Sequence, residues 1–85
     1  MSVIPTRREQ FRKLRRRFNV SQRQVALDLG VSENHIRNIE SGRGNPDIKL
    51  LFKLLKYFDT TPDQLFPDLA SIEVPRPSNS TRSIL

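Results

Sequence analysis

An all-α fold of five short helices is what the sequence predicts, and three observations carry that expectation. Apolar residues return at spacings of three and four, and no stretch carries the strict alternation of a half-buried strand. Each periodic segment is headed by Ser, Thr or Asp, whose side-chain oxygen satisfies an amide left without a partner at a helix start. Asn19, Gly30 and Gly42 then stand where the first three segments stop, residues that tolerate the left-handed conformation of a helix end.

Helix 1, about 7 to 18, begins at Thr6 with Glu9 three residues on, a capping-box spacing, and places Phe11, Leu14 and Phe18 on one side. Helix 2, about 22 to 29, has the same spacing in Ser21 and Gln24 and turns Val25, Ala26 and Leu29 inward. Only Gly30, Val31 and Ser32 separate it from helix 3, about 33 to 41, which Ser32 caps and whose inward residues are Ile36 and Ile39. Helix 4, about 48 to 58, follows Asn45-Pro46-Asp47, a proline-containing turn with Asp47 as cap. It carries two apolar faces. Ile48, Leu51, Phe52, Leu55 and Phe58 form the broad one; Leu50, Leu54 and Tyr57 form a second, to be covered by helix 5 or by another subunit. Helix 5, about 62 to 66, starts at Thr61 with Gln64.

These elements make one compact domain over residues 6 to 67, with a helix-turn-helix motif at 22 to 41. Residues 68 to 85 form a flexible tail, because PRPSNSTRS is too polar and proline-broken to repay its ordering entropy. The tail ends on Ile84-Leu85, an apolar tip that could touch a partner.

The chain has 85 residues, no cysteine and one histidine, so neither a disulfide framework nor a Cys/His zinc site can hold it together. No apolar run approaches the roughly 18 residues of a membrane span, and the N-terminus lacks the apolar stretch of a signal peptide. A cytoplasmic address follows. No nucleophile stands with a base, no phosphate loop follows a strand, and no cofactor or small-molecule site is evident, which argues against an enzyme.

Charge is distributed unevenly. Residues 1 to 43 carry ten Lys/Arg against four Asp/Glu, and residues 44 to 85 carry five of each, so the whole net charge of +6 lies in the first half. Such a field attracts polyanions, and nucleic acid and anionic lipid are the two candidate partners. The run RKLRRR, 12 to 17, reads either as a phosphate-binding patch or as cations favoured at a helix C-terminus.

The stretch SQRQVALDLGVSENHIRNIESG, 21 to 42, resembles the helix-turn-helix of the Cro/phage-repressor type, also called the XRE family. The matching residues are Ser21, Gln22, Ala26, Gly30, Val31, Ser32, Ile36, Ile39, Glu40, Gly42 and Pro46, and the likeness extends from about Phe11 to Phe66. It implies a five-helix domain resembling that of lambda repressor, acting as a homodimer on palindromic double-stranded DNA in transcriptional control. Family members place the second helix of the motif in the major groove.

On a helical wheel Asn34, Arg37, Asn38 and Ser41 cluster opposite Ile36 and Ile39. By the resemblance, Glu33, Asn34, Arg37 and Asn38 are expected to read bases: Arg pairs bidentately with guanine, Asn with adenine, and Glu accepts from cytosine. Glu33 is equally a residue favoured by the helix dipole. Gln22 matches the family glutamine that bonds a phosphate, and Arg23, Ser32, His35, Arg43 and the backbone amides of Gly44 and Asn45 are further phosphate candidates. Arg15 and Glu40 occupy the positions of a structural ion pair. The dimer candidates are Leu50, Leu54 and Tyr57. A second class of function stays open beside the repressor: an antitoxin-like interaction module with secondary DNA binding.

Overall fold

The computed structural model describes residues 8 to 77. They fold into α1 (Glu9–Arg17), α2 (Gln22–Leu29), α3 (Glu33–Ser41), α4 (Ile48–Tyr57), α5 (Pro62–Leu65) and α6 (Pro67–Ala70), with no strand among the described residues. None of these helices is long and apolar enough to cross a membrane.

Local capping chemistry explains most boundaries. The hydroxyls of Ser21, Ser32 and Thr61 accept from the amides of Gln24, His35 and Gln64, and the Asp47 carboxylate accepts from Leu50. The reciprocal half of the capping box is not made: the Gln24 amide donates to Asp28 (2.8 Å), and the Gln64 carbonyl accepts from Thr60 (3.0 Å). At α1 the cap position is Arg8, without a side-chain cap bond, and the expected cap Thr6 lies outside the described residues. Ser32→Ala is expected to lower stability by about 1 kcal/mol, read as a shift in the urea midpoint without a change in slope.

The core is built from Phe11 of α1, Val25 and Ala26 of α2, Ile36 and Ile39 of α3, Leu50, Leu54 and Leu55 of α4, and Phe58, Leu65 and Phe66 beyond them. Phe58 is its aromatic centre: Phe11, Phe18 and Tyr57 all meet it near edge-on, with ring centroids 5.0 to 5.7 Å away. Phe18 stands past the last residue of α1 and stays 45% exposed, rather than entering the core.

Two expectations are corrected. The first concerns the roll of α4. Leu50 and Leu54, expected either beneath helix 5 or at a dimer face, are buried within the protomer, whereas Ile48 and Phe52 of the broad face are 69% and 55% exposed. Burial of Leu50, Leu54 and Leu55 is satisfied at this roll, which also brings α4 to α2: the Tyr57 hydroxyl donates to Asp28 (2.6 Å), and Lys53 donates to the Leu29 carbonyl (3.2 Å). Tyr57 is thus a tether within the chain. Desolvation and the adjacent Asp28 carboxylate push its hydroxyl up to about 12.

The second correction is the helix count. α6 adds a sixth helix where a flexible tail was expected from residue 68, because Leu69 packs on the core and Asp68 accepts from the Arg8 guanidinium at 2.9 Å. The apolar tip Ile84-Leu85 lies outside the described residues.

Candidate nucleic-acid interface

The arrangement of α2 and α3 follows from the turn between them. Gly30 adopts φ 76, a conformation that strains any residue bearing a Cβ. Its N–H and that of Val31 bond back to the carbonyls of Leu27 and Ala26 at 3.4 and 3.0 Å, closing α2 as α3 begins. Ile36 and Ile39 are fully buried beneath α3. Gly42, at φ 87, ends it.

With those two isoleucines inward, the opposite side of α3 faces out. Asn34 and Arg37 are exposed; Glu33, His35, Asn38 and Ser41 are half-buried. Arg37 Nη2 donates to Glu33 Oε2 at 3.2 Å, one helical turn back, with the two side chains 55% and 42% exposed. A solvated pair of this kind is worth only a few tenths of a kcal/mol, so a stronger acceptor can take the guanidinium from it. Glu33 and Arg37, separate base-reading candidates in the sequence, are brought together in the structure.

Arg15 anchors α3 from behind. Its Nε donates to Glu40 Oε1 at 2.7 Å and its Nη2 to Oε2 at 3.0 Å, a bidentate pair, while Nη1 reaches the Val20 carbonyl at 3.1 Å. Burial by itself would raise the Glu40 carboxyl. Hydrogen bonds from Arg15 and Gln22, and the charges of Arg15 and Arg12, outweigh burial and hold it below the usual carboxylate range. Gln22, half-buried at the start of α2, therefore faces the base of α3, and Arg23 beside it is exposed.

The loop after α3 wraps around one carbonyl. The amides of Arg43 and Gly44 both donate to the Asn38 carbonyl, at 2.9 and 3.2 Å. This takes the Gly44 amide out of the set of phosphate candidates, since its hydrogen is spent inside the loop. The Ser32 hydroxyl already accepts from His35, and the side chains of Arg43 and Asn45 remain exposed.

This is the geometry of a helix-turn-helix with a polar outward face and a buried anchor, and the comparisons agree: the helix-turn-helix family model matches residues 11–65. The chain belongs to the Cro/phage-repressor type helix-turn-helix family. It is 40% identical over 48 residues to an uncharacterized HTH-type transcriptional regulator of Methanocaldococcus jannaschii, a match spanning 56% of this chain and 73% of that protein. An uncharacterized HTH-type transcriptional regulator of Archaeoglobus fulgidus is 30% identical over 59 residues, 69% of this chain and 83% of the relative. The HTH-type transcriptional activator BcrR of Enterococcus faecalis is 39% identical over 57 residues, but that match covers only 28% of BcrR. No solved structure matches significantly. As a member of this family the chain is a DNA-binding regulator.

One residue behind this face has no counterpart among the sequence expectations. Arg8 is buried, and all five N–H groups of its guanidinium are used: Nε and Nη2 on Asp68, Nη1 on the carbonyls of Ile39 (2.9 Å) and Gly44 (2.7 Å), Nη2 also on Asn45 Oδ1 (2.7 Å). Its Cζ lies 5.1 Å from the Phe66 ring centroid, and its own amide donates to the Glu40 carbonyl at 2.8 Å. Its partners lie 31 to 60 residues away in sequence, and an arginine inside the run Arg7-Arg8 carries no local mark of that role.

Proposed function

We propose that the chain is a sequence-specific transcriptional regulator acting in the cytoplasm as a homodimeric repressor on a palindromic operator, of the phage or mobile-element repressor or restriction-modification controller type. The observation that carries this is the outward face of α3: Asn34, Arg37 and Asn38 are left over once Ile36, Ile39 and Glu40 are committed to the domain. Arg37 leaves Glu33 for a guanine, and Asn34 pairs with an adenine, each contributing roughly 1 to 3 kcal/mol of discrimination. Gln22, Arg23, Ser32, His35, Arg43 and Asn45 meet phosphates and set the register. Two recognition helices about one turn of DNA apart, roughly 34 Å, then read two half-sites. With Leu50 and Leu54 in the core, Ile48 and Phe52 are the apolar side chains of α4 left exposed for a second copy.

Titration of mixed-sequence duplex DNA at rising salt tests the phosphate part. Affinity is expected to fall steeply with salt, and Arg43→Ala is expected to weaken binding to any sequence and reduce the logarithmic salt slope by about one. A flat salt response in the parent protein contradicts the reading. Sedimentation of the free protein tests the dimer, for which a monomer at all accessible concentrations is the contrary result.

A further inference from the structure

We infer that Arg8 is a positioning residue for DNA binding: it orients the Asn45 side chain so that its amide N–H groups face out toward a phosphate. The inference rests on the proposal that the loop following α3 meets the DNA backbone. A guanidinium offers donors and no acceptor. With Arg8 Nη2 only 2.7 Å from Asn45, the group turned toward it has to be the carbonyl oxygen Oδ1. The –NH2 group of Asn45 is then directed away from the buried cation, and it makes no hydrogen bond among the described residues.

Asn45 itself is exposed, so these two donors stand at the surface. The cation does more than turn the amide. A charge on the oxygen side polarises the group and makes its N–H bonds better donors to an anion. Arg8 fixes the loop's backbone through the Gly44 carbonyl and the end of α3 through the Ile39 carbonyl, and Asp68 on α6 pairs with it at Nε and at the same Nη2 that meets Asn45. Asp68 is held below the usual range of an aspartate, its burial outweighed by Arg8, and so stays ionised as the counter-charge. The loop's donor is thus preset before DNA arrives, which removes ordering entropy from the binding step. It also ties the segment beyond α5 to the DNA face.

A double-mutant cycle on mixed-sequence duplex DNA, followed by fluorescence anisotropy at low salt, tests this with Arg8→Met, Asn45→Ala and the pair; circular dichroism checks that each variant is folded at the assay temperature. Asn45→Ala is expected to lose roughly tenfold in affinity. Arg8→Met is expected to lose at least a similar factor alone, since it also releases the Gly44 and Ile39 carbonyls, and a clearly smaller factor in the Asn45→Ala background, a coupling that a general loss of stability does not produce. Multiplicative losses, or wild-type affinity in Asn45→Ala, overturn the inference. Arg43→Ala is measured alongside: if it weakens binding while Asn45→Ala does not, only the role given to Arg8 fails. If neither has an effect, the loop does not meet phosphates and both readings fail together.

Discussion

Arg15→Ala is expected to lower folding stability by about 3 to 5 kcal/mol, because it leaves the Glu40 carboxylate buried without its bidentate partner. A domain of this size is stable by something on the order of 5 to 10 kcal/mol, so the variant loses much of what holds it folded. Arg15→Lys keeps the charge but presents a point donor in place of the fork, and should fall between the two. The effect has a pH signature. In the parent protein the Glu40 carboxyl titrates below its ordinary value of 4.5, so its contribution is complete above that pH and is lost as pH falls through the folded-state value. In Arg15→Ala, burial without the partner pushes the carboxyl the other way, and its stability cost is relieved on protonation. Urea midpoints of the two proteins are therefore expected to differ most at neutral pH and to converge below about pH 4.5. A gap that is constant with pH contradicts the assigned pair.

The second large effect separates core from surface on α4. Leu54 is fully buried, and Leu54→Ala is expected to cost about 2 to 5 kcal/mol through lost burial and the cavity left behind. Ile48→Ala, at an exposed site one turn and a half earlier, should change the stability of the monomer by about 0.5 kcal/mol or less. Chemical denaturation at low protein concentration reads both. Should Leu54→Ala leave the midpoint unchanged and instead alter the association state, the leucine belongs to a subunit interface and the roll of α4 described above is wrong.

That roll shows where sequence stopped being informative. The apolar residues of α4 span more of the helix surface than a small core can cover, and periodicity cannot say which part turns inward. The observed roll is accompanied by Asp28 accepting from Tyr57 and the Leu29 carbonyl from Lys53, contacts between residues more than twenty apart in sequence that local periodicity does not register. α2 and α3 were legible to the residue, for the opposite reason. Ser21 and Ser32 each satisfy an amide three positions on, and Gly30 and Gly42 take positive φ where the helices stop, so the signals and their consequences are neighbours in the chain. Within the site, the outward set on α3 followed from helical geometry once Ile36 and Ile39 were placed. The Arg15–Glu40 pair came from family resemblance, and the Arg8 cluster from neither. α6 was hidden by composition: Pro67 and Asp68 read as the start of a tail, and the turn is held by Leu69 on the core and by Arg8, from the other end of the domain.

The central claim is that the outward residues of α3 choose the DNA sequence. Selection of bound duplexes from a random pool, done with the parent protein and again with Asn34→Ala and Arg37→Ala, tests it most directly. The parent is expected to enrich a two-fold symmetric site, and each variant to enrich the same site with preference relaxed at one base pair per half-site. An unchanged profile in both variants, or no enrichment by the parent, would contradict the account.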